Sequence, residues 1–410
     1  GTPFSGGWYS QTVGTRGDYI LSVAVGDFDG DGDLDVVSGD EDYQVVVWEN
    51  DGTPFSGGWY SQTVGTRGDL IRSVAVGDFD DDGKPDIVSG DEDNQVVVWK
   101  NDGTPFSSGW YSRTVGTRGD YIRSVAVGDF DDDGKPDIVS GDEDNQVVVW
   151  KNDGTPFSSG WYSRTVGTRG DYIRSVAVGD FNRDGDLDVV SGDEDNQVVV
   201  WENDGTPFSS GWYSQTAGTR GASILSVAVG DFDGDRDPDI VSGAHNDEVV
   251  VWENDGTPFF GGWYSQTVGT RGQDVDSVAA GDLDCDGDLD VLSGDEDGDV
   301  VGWENDGTPF TDGWAATVVY SVNESPDDVR SVAVADLDGD WALDIVSGDM
   351  KYRVTACENL AECPTAPVGG IILPLDKSRL LLPSLGLAAL VVLVGAAVVA
   401  NRWRRLRINP

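Results

Sequence analysis

The chain has 410 residues, of which 75 are Asp or Glu and 26 are Lys or Arg, so its formal net charge at pH 7 is −49. This charge excludes a nucleic-acid binder that clamps phosphates, which needs a basic surface to release counterions, and it suits a protein that loads cations. Three cysteines are too few for a disulfide scaffold, and the sequence is equally compatible with an extracellular Cys357–Cys363 bridge and with free thiols.

The sequence repeats the tetrapeptide Gly-Thr-Pro-Phe with a strict period of 51 residues. The seven copies begin at Gly1, Gly52, Gly103, Gly154, Gly205, Gly256 and Gly307. Such a period is typical of a propeller or a solenoid. Because the sequence opens at Gly1 without Met or a signal-peptide pattern, we expect a processed product or a fragment.

Turn signals divide the first copy into four predicted strands, at residues 8–13, 20–28, 35–39 and 44–49. Four antiparallel strands per repeat make one propeller blade. The strands are rich in Val, Ile and Ala and carry Trp8 and Trp48, which favours sheets buried on both faces over an aromatic ligand platform. The sequence therefore predicts an all-β fold, a seven-bladed β-propeller of four-stranded antiparallel blades.

The order of the strands also predicts how the ring closes. The chain begins with an outer strand, and the last set of three strands, 331–358, has no outer strand after it. We therefore expect residues 8–13 to pair with the seventh set, which leaves no open sheet edge.

Residues 27–35, between the second and third predicted strands, have the composition of a loop that binds a hard cation. Carboxylates occupy the first, third, fifth and ninth positions, Gly32 permits a sharp turn at the sixth, and the seventh residue offers a backbone carbonyl. The ligand residues are Asp27, Asp29, Asp31, Asp33 and Asp35. A polar turn that binds nothing is the alternative, but crowded carboxylates without a cation repel one another. The spacing predicts a structural Ca²⁺ ion in a β-hairpin.

Four further copies carry the same pattern, with the seventh residue again offering its carbonyl. Their ligand residues are Asp78, Asp80, Asp82, Lys84 and Asp86; Asp129, Asp131, Asp133, Lys135 and Asp137; Asp180, Asn182, Asp184, Asp186 and Asp188; and Asp282, Asp284, Asp286, Asp288 and Asp290. Copies five and seven place Arg236 and Trp341 where the turn requires glycine, so we expect weak or lost sites there. The degraded positions are Asp231, Asp233, Asp235, Asp239, Asp336, Asp338, Asp340 and Asp344.

The run Ser-Val-Ala-Val-Gly-Asp-Phe-Asp-Gly-Asp-Gly-Asp-Leu-Asp-Val-Val-Ser-Gly, followed by Val-Val-Val-Trp-Glu-Asn, resembles an FG-GAP/VCBS repeat. The resemblance covers residues 1–359. It implies an integrin-α-like propeller with Ca²⁺ on the hairpin between the first and second strands of each blade. It implies no particular ligand, because propellers host unrelated functions.

After residue 359 the composition changes. A linker at 360–379 precedes an apolar run at 380–400, long enough as a helix to span a bilayer core of about 30 Å. A buried core helix is the alternative, but the sequence offers no second amphipathic helix to pack against it. Because arginines crowd the tail at 401–410, the positive-inside rule places this tail in the cytoplasm and the propeller outside the cell membrane.

Two other loop families should lie on the rim opposite the Ca²⁺ loops. One is the acidic Asp-Glu-Asp loop at 40–42, 91–93, 142–144, 193–195 and 295–297. The other carries an arginine, at Arg16, Arg67, Arg118, Arg169, Arg220 and Arg271. We expect the two families to form an exposed ring of salt bridges that contributes little per pair. Four of the arginines begin an Arg-Gly-Asp adhesion tripeptide, which the glycine of a tight turn explains without a receptor.

These features predict a Ca²⁺-stabilised, membrane-anchored binding or adhesion module of the cell surface, non-enzymatic, with an extracellular protein or glycan as its ligand. A structural component of a surface stalk or fibre is one alternative, and a Ca²⁺-dependent polysaccharide-active enzyme is another. An enzyme needs a nucleophile, a base and an orienting group brought together at one place in the molecule. The only histidine in the sequence, His245, has no recognisable partner there.

Overall fold

The structure is a computed structural model of the chain. It describes residues 7–57, 59–107, 110–158, 161–209, 212–261, 263–311, 314–322, 328–361 and 363. Within these ranges the chain forms 28 β-strands, arranged as seven four-stranded sheets.

The strands recur in sets of four with nearly constant lengths. The first two copies contribute β1 (Trp8–Thr15), β2 (Ile20–Gly26), β3 (Asp35–Asp40), β4 (Gln44–Glu49), β5 (Tyr60–Thr66), β6 (Ile71–Gly77), β7 (Asp86–Asp91) and β8 (Gln95–Lys100). Copies three and four contribute β9 (Tyr111–Thr117), β10 (Ile122–Gly128), β11 (Asp137–Asp142), β12 (Gln146–Lys151), β13 (Tyr162–Thr168), β14 (Ile173–Gly179), β15 (Asp188–Asp193) and β16 (Gln197–Glu202). The last three contribute β17 (Tyr213–Thr219), β18 (Ile224–Gly230), β19 (Asp239–Ala244), β20 (Glu248–Glu253), β21 (Tyr264–Thr270), β22 (Val275–Gly281), β23 (Asp290–Asp295), β24 (Asp299–Glu304), β25 (Ala315–Ser321), β26 (Val329–Ala335), β27 (Asp344–Asp349) and β28 (Arg353–Asn359).

Each blade takes three strands from one copy and its outer strand from the next. Blade one is the sheet β2-β3-β4-β5, and the following blades are built in the same way. Blade seven is β26-β27-β28-β1, in which Trp8 lies opposite Asn359 and Thr15 lies opposite Arg353. All neighbouring strands within the blades are antiparallel, as in the β1–β28 pair. The predicted seven blades and the predicted closure by the first strand are confirmed.

The second strand is shorter than predicted. It ends at Gly26 rather than at residue 28, because the Phe28 N–H donates to Asp35 Oδ2 at 3.0 Å instead of extending the ladder. The Phe28 side chain is buried and belongs to the apolar layer between blades one and two.

The interior confirms that the sheets are covered on both faces. The six residues of β3 are all buried, and the Trp48 Nε1–H donates to Ser38 Oγ at 2.9 Å. A Cβ on Gly14 would lie 2.0 Å from the Trp48 ring, which explains why glycine occupies that position. The predicted packing role of Trp48 is therefore confirmed, because this indole fills the space between neighbouring blades.

Seven serines join the innermost strands around a central channel lined by valine and alanine. Ser22 Oγ accepts a hydrogen bond from the Val74 N–H at 3.1 Å, and Ser331 Oγ accepts one from the Val23 N–H at 3.0 Å. The same bond recurs between the other neighbouring blades, from Val125 to Ser73, Val176 to Ser124, Val227 to Ser175, Val278 to Ser226 and Val332 to Ser277. Each inner strand is thus held in register with both of its neighbours.

The cysteine pairing differs from the bridge that the sequence spacing allowed. Cys285 and Cys363, 78 residues apart, form a disulfide, whereas Cys357 is a free, buried thiol. Cys357 lies within β28 and packs in the apolar layer between blades six and seven. Cys363 lies beyond the end of that strand and meets the loop of copy six. Proximity in the sequence was therefore a poor guide to proximity in space.

No helix in the described part of the chain is long and apolar enough to cross a membrane. The predicted membrane helix at 380–400 and the basic tail at 401–410 lie outside the described residues, as does most of the linker at 360–379.

Candidate metal sites

The acidic loops lie at one end of every blade, between its first and second strands, as predicted. In copy one the loop occupies the residues between Gly26, which ends β2, and Asp35, which begins β3. The turn that follows β4 lies beside it, because antiparallel strands return to the same end of the blade.

The first carboxylate of each loop organises the backbone around it. Asp27 Oδ1 accepts a hydrogen bond from the Gly30 N–H at 2.7 Å, and its Oδ2 accepts one from the Gly32 N–H at 3.2 Å. The second bond, from the sixth residue to the first, recurs in all seven loops at 2.7–3.2 Å. Arg236 and Trp341 make it with φ values of 81° and 79°, which are strained for residues with a Cβ. The degraded loops thus keep the turn but carry strain.

The ninth carboxylate is buried and has a structural role that the sequence did not reveal. Asp35 Oδ2 accepts from the Phe28 N–H, and Asp35 Oδ1 accepts from the Asn50 N–H at 2.8 Å. Asn50 Nδ2 in turn donates to the Leu337 carbonyl of blade seven at 2.8 Å. An asparagine occupies this place in every copy, and that repetition was the signal by which sequence reasoning could have found it: Asn50, Asn101, Asn152, Asn203, Asn254, Asn305 and Asn359.

Three of the predicted ligands converge in each of several loops. In copy one, one oxygen each from Asp27, Asp29 and Asp35 lies within 4.8 Å of the others. The equivalent first, third and ninth residues also converge in copies two, three and five: Asp78, Asp80 and Asp86; Asp129, Asp131 and Asp137; and Asp231, Asp233 and Asp239. Copy five therefore keeps its carboxylate cluster, and the expectation that Arg236 weakens or abolishes ion binding there stays a prediction.

Burial and mutual repulsion make these carboxylates hard to ionise without a cation. Burial, followed by the charges of Asp31 and Asp27, raises the pKa of Asp29. Burial and the neighbouring Asp286 raise the pKa of Asp284 to about 7. In copy five, Asp231 Oδ1 is buried without a hydrogen-bond partner among the described residues. Carboxylate oxygens in this arrangement fit a hard divalent cation such as Ca²⁺, which would supply the missing positive charge.

Copies two and three differ from the others because lysines reach their loops. Lys84 Nζ donates to Asp82 Oδ2 at 2.8 Å, and Lys100 Nζ donates to the same oxygen at 3.0 Å and also contacts Asp80 Oδ2. Burial acts to raise the pKa of Asp82, but the hydrogen bonds and charges of the two lysines outweigh it, so the pKa lies below its ordinary value. Copy three repeats the arrangement with Lys135, Lys151, Asp131 and Asp133.

Sequence reasoning treated the seventh residue, Lys84, only as a source of a backbone carbonyl, and it missed Lys100. The available signal was the change from Trp-Glu-Asn at the end of the fourth strand to Trp-Lys-Asn in these two copies.

On the opposite rim the predicted arginine–acid pairs are present, but they are not exposed. Arg16 Nε donates to Asp40 Oδ2 at 3.1 Å, and its Nη2 donates to Gln44 Oε1 at 2.8 Å. The Asp40 side chain is fully buried, and that of Arg16 is only 16% exposed. The same bridge joins Arg67 to Asp91, Arg118 to Asp142, Arg169 to Asp193 and Arg271 to Asp295. The expectation of weak surface pairs was wrong, because the acidic partner is the last residue of a buried strand.

This burial also bears on the adhesion tripeptides. In the four Arg-Gly-Asp sequences the arginine is the one that reaches a buried aspartate, so its guanidinium is not presented to a receptor. Arg220 does not pair with a buried aspartate, because Ala244 stands at that position. Its Nε lies 3.5 Å from Glu248 Oε2 instead.

His245 does have a neighbour that the sequence did not reveal. Its Nδ1 contacts Asp274 Oδ2, which belongs to the segment leading into blade six. The two residues are 29 positions apart, so only the packing of neighbouring blades brings them together.

A ring of exposed tyrosines accompanies the acidic loops. Six equivalent tyrosines at the start of the outer strands have exposed fractions of 49–60%: Tyr9, Tyr60, Tyr111, Tyr162, Tyr213 and Tyr264. Tyr264 lines one shallow pocket together with Pro309 and Phe310 of the following turn and with Asp233 and Glu253 at the acidic loop. Copy seven has Ala315 at the equivalent position.

A comparison with protein families matches this chain to the FG-GAP-like repeat. The six matched segments are residues 27–89, 78–140, 129–191, 180–242, 236–293 and 283–347. Together they extend over most of the propeller and include all seven acidic loops in whole or in part. A comparison with curated proteins found no match.

Proposed function

The chain belongs to the FG-GAP-like repeat family, and from this premise we propose that it is a Ca²⁺-stabilised, non-enzymatic binding module of the cell surface. The observation that carries the proposal is the repetition, in six copies, of an exposed tyrosine beside an acidic loop. The propeller supplies a rigid frame, and the loops supply the ion sites.

The tyrosines are suited to binding because a tyrosine ring is a large, rigid contact surface with a polar tip. Single exposed aromatics are common, but six in equivalent places on one ring are a surface feature that calls for an explanation. Tyr111 also lies 6.4 Å from Phe157 in an edge-to-face arrangement, so an aromatic pair stands between neighbouring copies. An extracellular glycan or protein that repeats its own epitope would bind several copies at once and gain avidity.

The proposed ion has a structural role. In a loop such as that of copy one, Asp27, Asp29 and Asp35 would hold it, with Asp31 and the Asp33 carbonyl completing the shell. The ion would offset the repulsion between carboxylates that burial has already made hard to ionise. Because Asp35 is bonded to Asn50, and Asn50 to the neighbouring blade, an ion there would also stiffen the contact between blades.

Two features support a location outside the cell. The disulfide between Cys285 and Cys363 is of a kind that persists in oxidising compartments. The apolar segment 380–400 and the arginines after it have the pattern of a single membrane anchor with a cytoplasmic tail. We propose a module held at the membrane by its C-terminal segment.

Binding rather than catalysis is proposed because the exposed features recur from blade to blade, whereas an active site brings different chemical groups together at a single place.

The test is to probe glycan and protein arrays with the purified chain, with and without Ca²⁺. A triple variant of Tyr60→Ala, Tyr111→Ala and Tyr162→Ala should lose binding. Tyr43→Asn, which introduces the residue found at that turn in copies two to four, is the matched control and should keep it.

Two results would contradict this proposal in different ways. Release of reducing ends from a polysaccharide would identify an enzyme. Long regular particles in negative stain, with no array ligand bound, would identify a stalk or fibre component.

A further inference from the structure

In two of the seven loops, lysine ammonium groups contact the carboxylates that would bind a metal ion. We infer that the loops of copies two and three are closed by the ammonium groups of lysines in place of a metal ion. This inference rests on the proposed Ca²⁺ occupancy of the other loops. It divides the repeats into copies two and three, whose loops hold lysines, and the other five, whose loops would hold a metal ion.

The contacts are made at the carboxylates that would bind the ion. Lys100 Nζ contacts Asp80 Oδ2, the third position, and lies 3.0 Å from Asp82 Oδ2, the fifth. Lys84 Nζ lies 2.8 Å from the same Asp82 oxygen. An ammonium group has three hydrogen-bond donors and a compact positive charge, so it can neutralise carboxylate oxygens much as a metal ion does.

Each strand-end lysine also lies over an aromatic ring. Lys100 Nζ lies 5.4 Å from the centre of the Phe157 ring, and Lys151 Nζ lies 5.4 Å from that of Phe208. A cation over an aromatic face is attracted by the ring. The two ammonium groups thus have the same surroundings in both copies, which are carboxylates and one aromatic ring.

The other copies have the opposite charge at this position. The equivalent residue of the fourth strand is Glu49, Glu202, Glu253, Glu304 or Glu358 in the remaining five copies. In copy four Asn182 Nδ2 donates to Glu202 Oε1 at 3.4 Å, so the glutamate at this position reaches the third residue of its own loop. The side chain at this position therefore adds negative charge to five loops and positive charge to two.

A metal ion and the lysine would compete for one carboxylate. Asp80 Oδ1 has no hydrogen-bond partner among the described residues, and an ion bound to it would share that carboxylate with the Lys100 ammonium. Two cations on one carboxylate repel each other. The loop does not need an ion to keep its turn, because the Gly83 N–H still donates to Asp78 Oδ2 at 2.7 Å.

The experiment counts Ca²⁺ ions bound per chain by equilibrium dialysis of the full chain. Replacing Lys100→Glu and Lys151→Glu gives both loops the residue of the other copies and should add about two ions per chain. The reciprocal change, Glu49→Lys with Glu202→Lys, is the matched control and should remove about two. An unchanged count after the lysine replacements would overturn the inference.

A second pair of variants keeps the test decisive where the charge reversals do not fold. In the otherwise unaltered chain, Asp80→Ala should leave the count unchanged, whereas Asp29→Ala should lower it by about one ion. Loss of an ion from Asp80→Ala would show that copy two is a metal site and would overturn the inference. If the unaltered chain binds no Ca²⁺ and the Lys100→Glu, Lys151→Glu variant does, the lysine assignment stands and the proposed role of Ca²⁺ falls. If neither binds any, both fall.

Discussion

Arg118 Nε lies 3.1 Å from Asp142 Oδ2, and the carboxylate that it reaches is wholly buried. The bond joins the end of the outer strand of blade two to the end of the second strand of blade three. Arg118→Ala should destabilise the protein by about 3 kcal/mol, because it leaves a buried charge without a partner. Denaturant unfolding measures this change. Arg220→Ala is the control and should cost clearly less, since that arginine contacts the half-buried Glu248 and the Thr267 hydroxyl instead of a fully buried carboxylate; equal losses for the two variants would contradict the explanation.

Closure of the ring by β1 predicts the effect of removing it. Deleting residues 1–14 removes most of the strand that pairs with β28 and leaves that strand as an open edge. We expect a larger fall in melting temperature than for any single substitution described here, together with self-association. A deletion of 1–14 with an unaltered melting temperature would refute closure by β1.

Removing Ca²⁺ should weaken the fold. At ion concentrations ten to a hundredfold above the dissociation constant, each occupied loop would stabilise the protein by about 1.4 to 2.7 kcal/mol. Melting temperatures in millimolar Ca²⁺ and in EDTA provide the comparison. Asp31→Ala, in an intact loop, should lower the melting temperature in Ca²⁺ more than Asp235→Ala, and in EDTA the two should become similar. Superimposable curves with and without Ca²⁺ would end this explanation.

The buried ninth-position carboxylates predict how stability depends on pH in EDTA. Burial raises the pKa of Asp35 to about 8, even though backbone hydrogen bonds from Asn50 and Phe28 act in the opposite direction. The unfolded chain loses this proton near its ordinary pKa of about 3.9. The folded state therefore holds more protons between these two values, and the stability that they contribute is lost as pH rises through this window.

Melting temperatures in EDTA should accordingly fall from pH 5 to pH 8. Saturating Ca²⁺ should reduce or reverse this slope, because a metal ion binds ionised carboxylates. The Asp35→Asn variant, which cannot titrate at this position, should show a shallower slope in EDTA. A slope that is the same with Asp35 and with asparagine would assign the pH dependence to other groups.

The strained turn of copy five predicts a gain of stability. Arg236 has a φ of 81°, a value that glycine adopts without penalty. Arg236→Gly should therefore stabilise the protein in EDTA by a few tenths to about 1 kcal/mol, and in Ca²⁺ by more if the loop then binds its ion. Gly83→Arg in copy two is the reverse substitution and should destabilise. Denaturant unfolding of both variants, with and without Ca²⁺, separates backbone strain from ion binding.

The blade architecture was predictable because a strict repeat multiplies a weak local signal. One copy offers four short apolar runs that could pair into many different sheets, but seven copies at one constant period leave few arrangements that bury all of these runs. The ring closure followed from counting the strands. Trp8 begins an outer strand, and no set of three strands comes before it in the chain to pair with it, so its partner had to be the last set.

What the sequence could not supply was the neighbour of each residue across a blade boundary. Asn50 bonds to Leu337, 287 positions away, and no local pattern encodes that contact. The contacts of Lys100 with its loop were missed because its carboxylate partners lie 18 and 20 positions back in the sequence. The sequence left open whether Cys357 forms a bridge or is a free thiol, and only the packing of the strands shows that it is free and buried within β28.

The disulfide from Cys285 to Cys363 closes a covalent loop of the chain around β23 to β28. A force that pulls on the chain beyond Cys363 is therefore transmitted through the sulfur–sulfur bond to the acidic loop of copy six. The strands between the two cysteines cannot be unfolded one after another by such a force. Such a force does not act directly on β28, the strand whose pairing with β1 closes the ring. If the C-terminal segment tethers the protein as proposed, the bridge would keep a pull on that segment away from the strand pair that closes the ring.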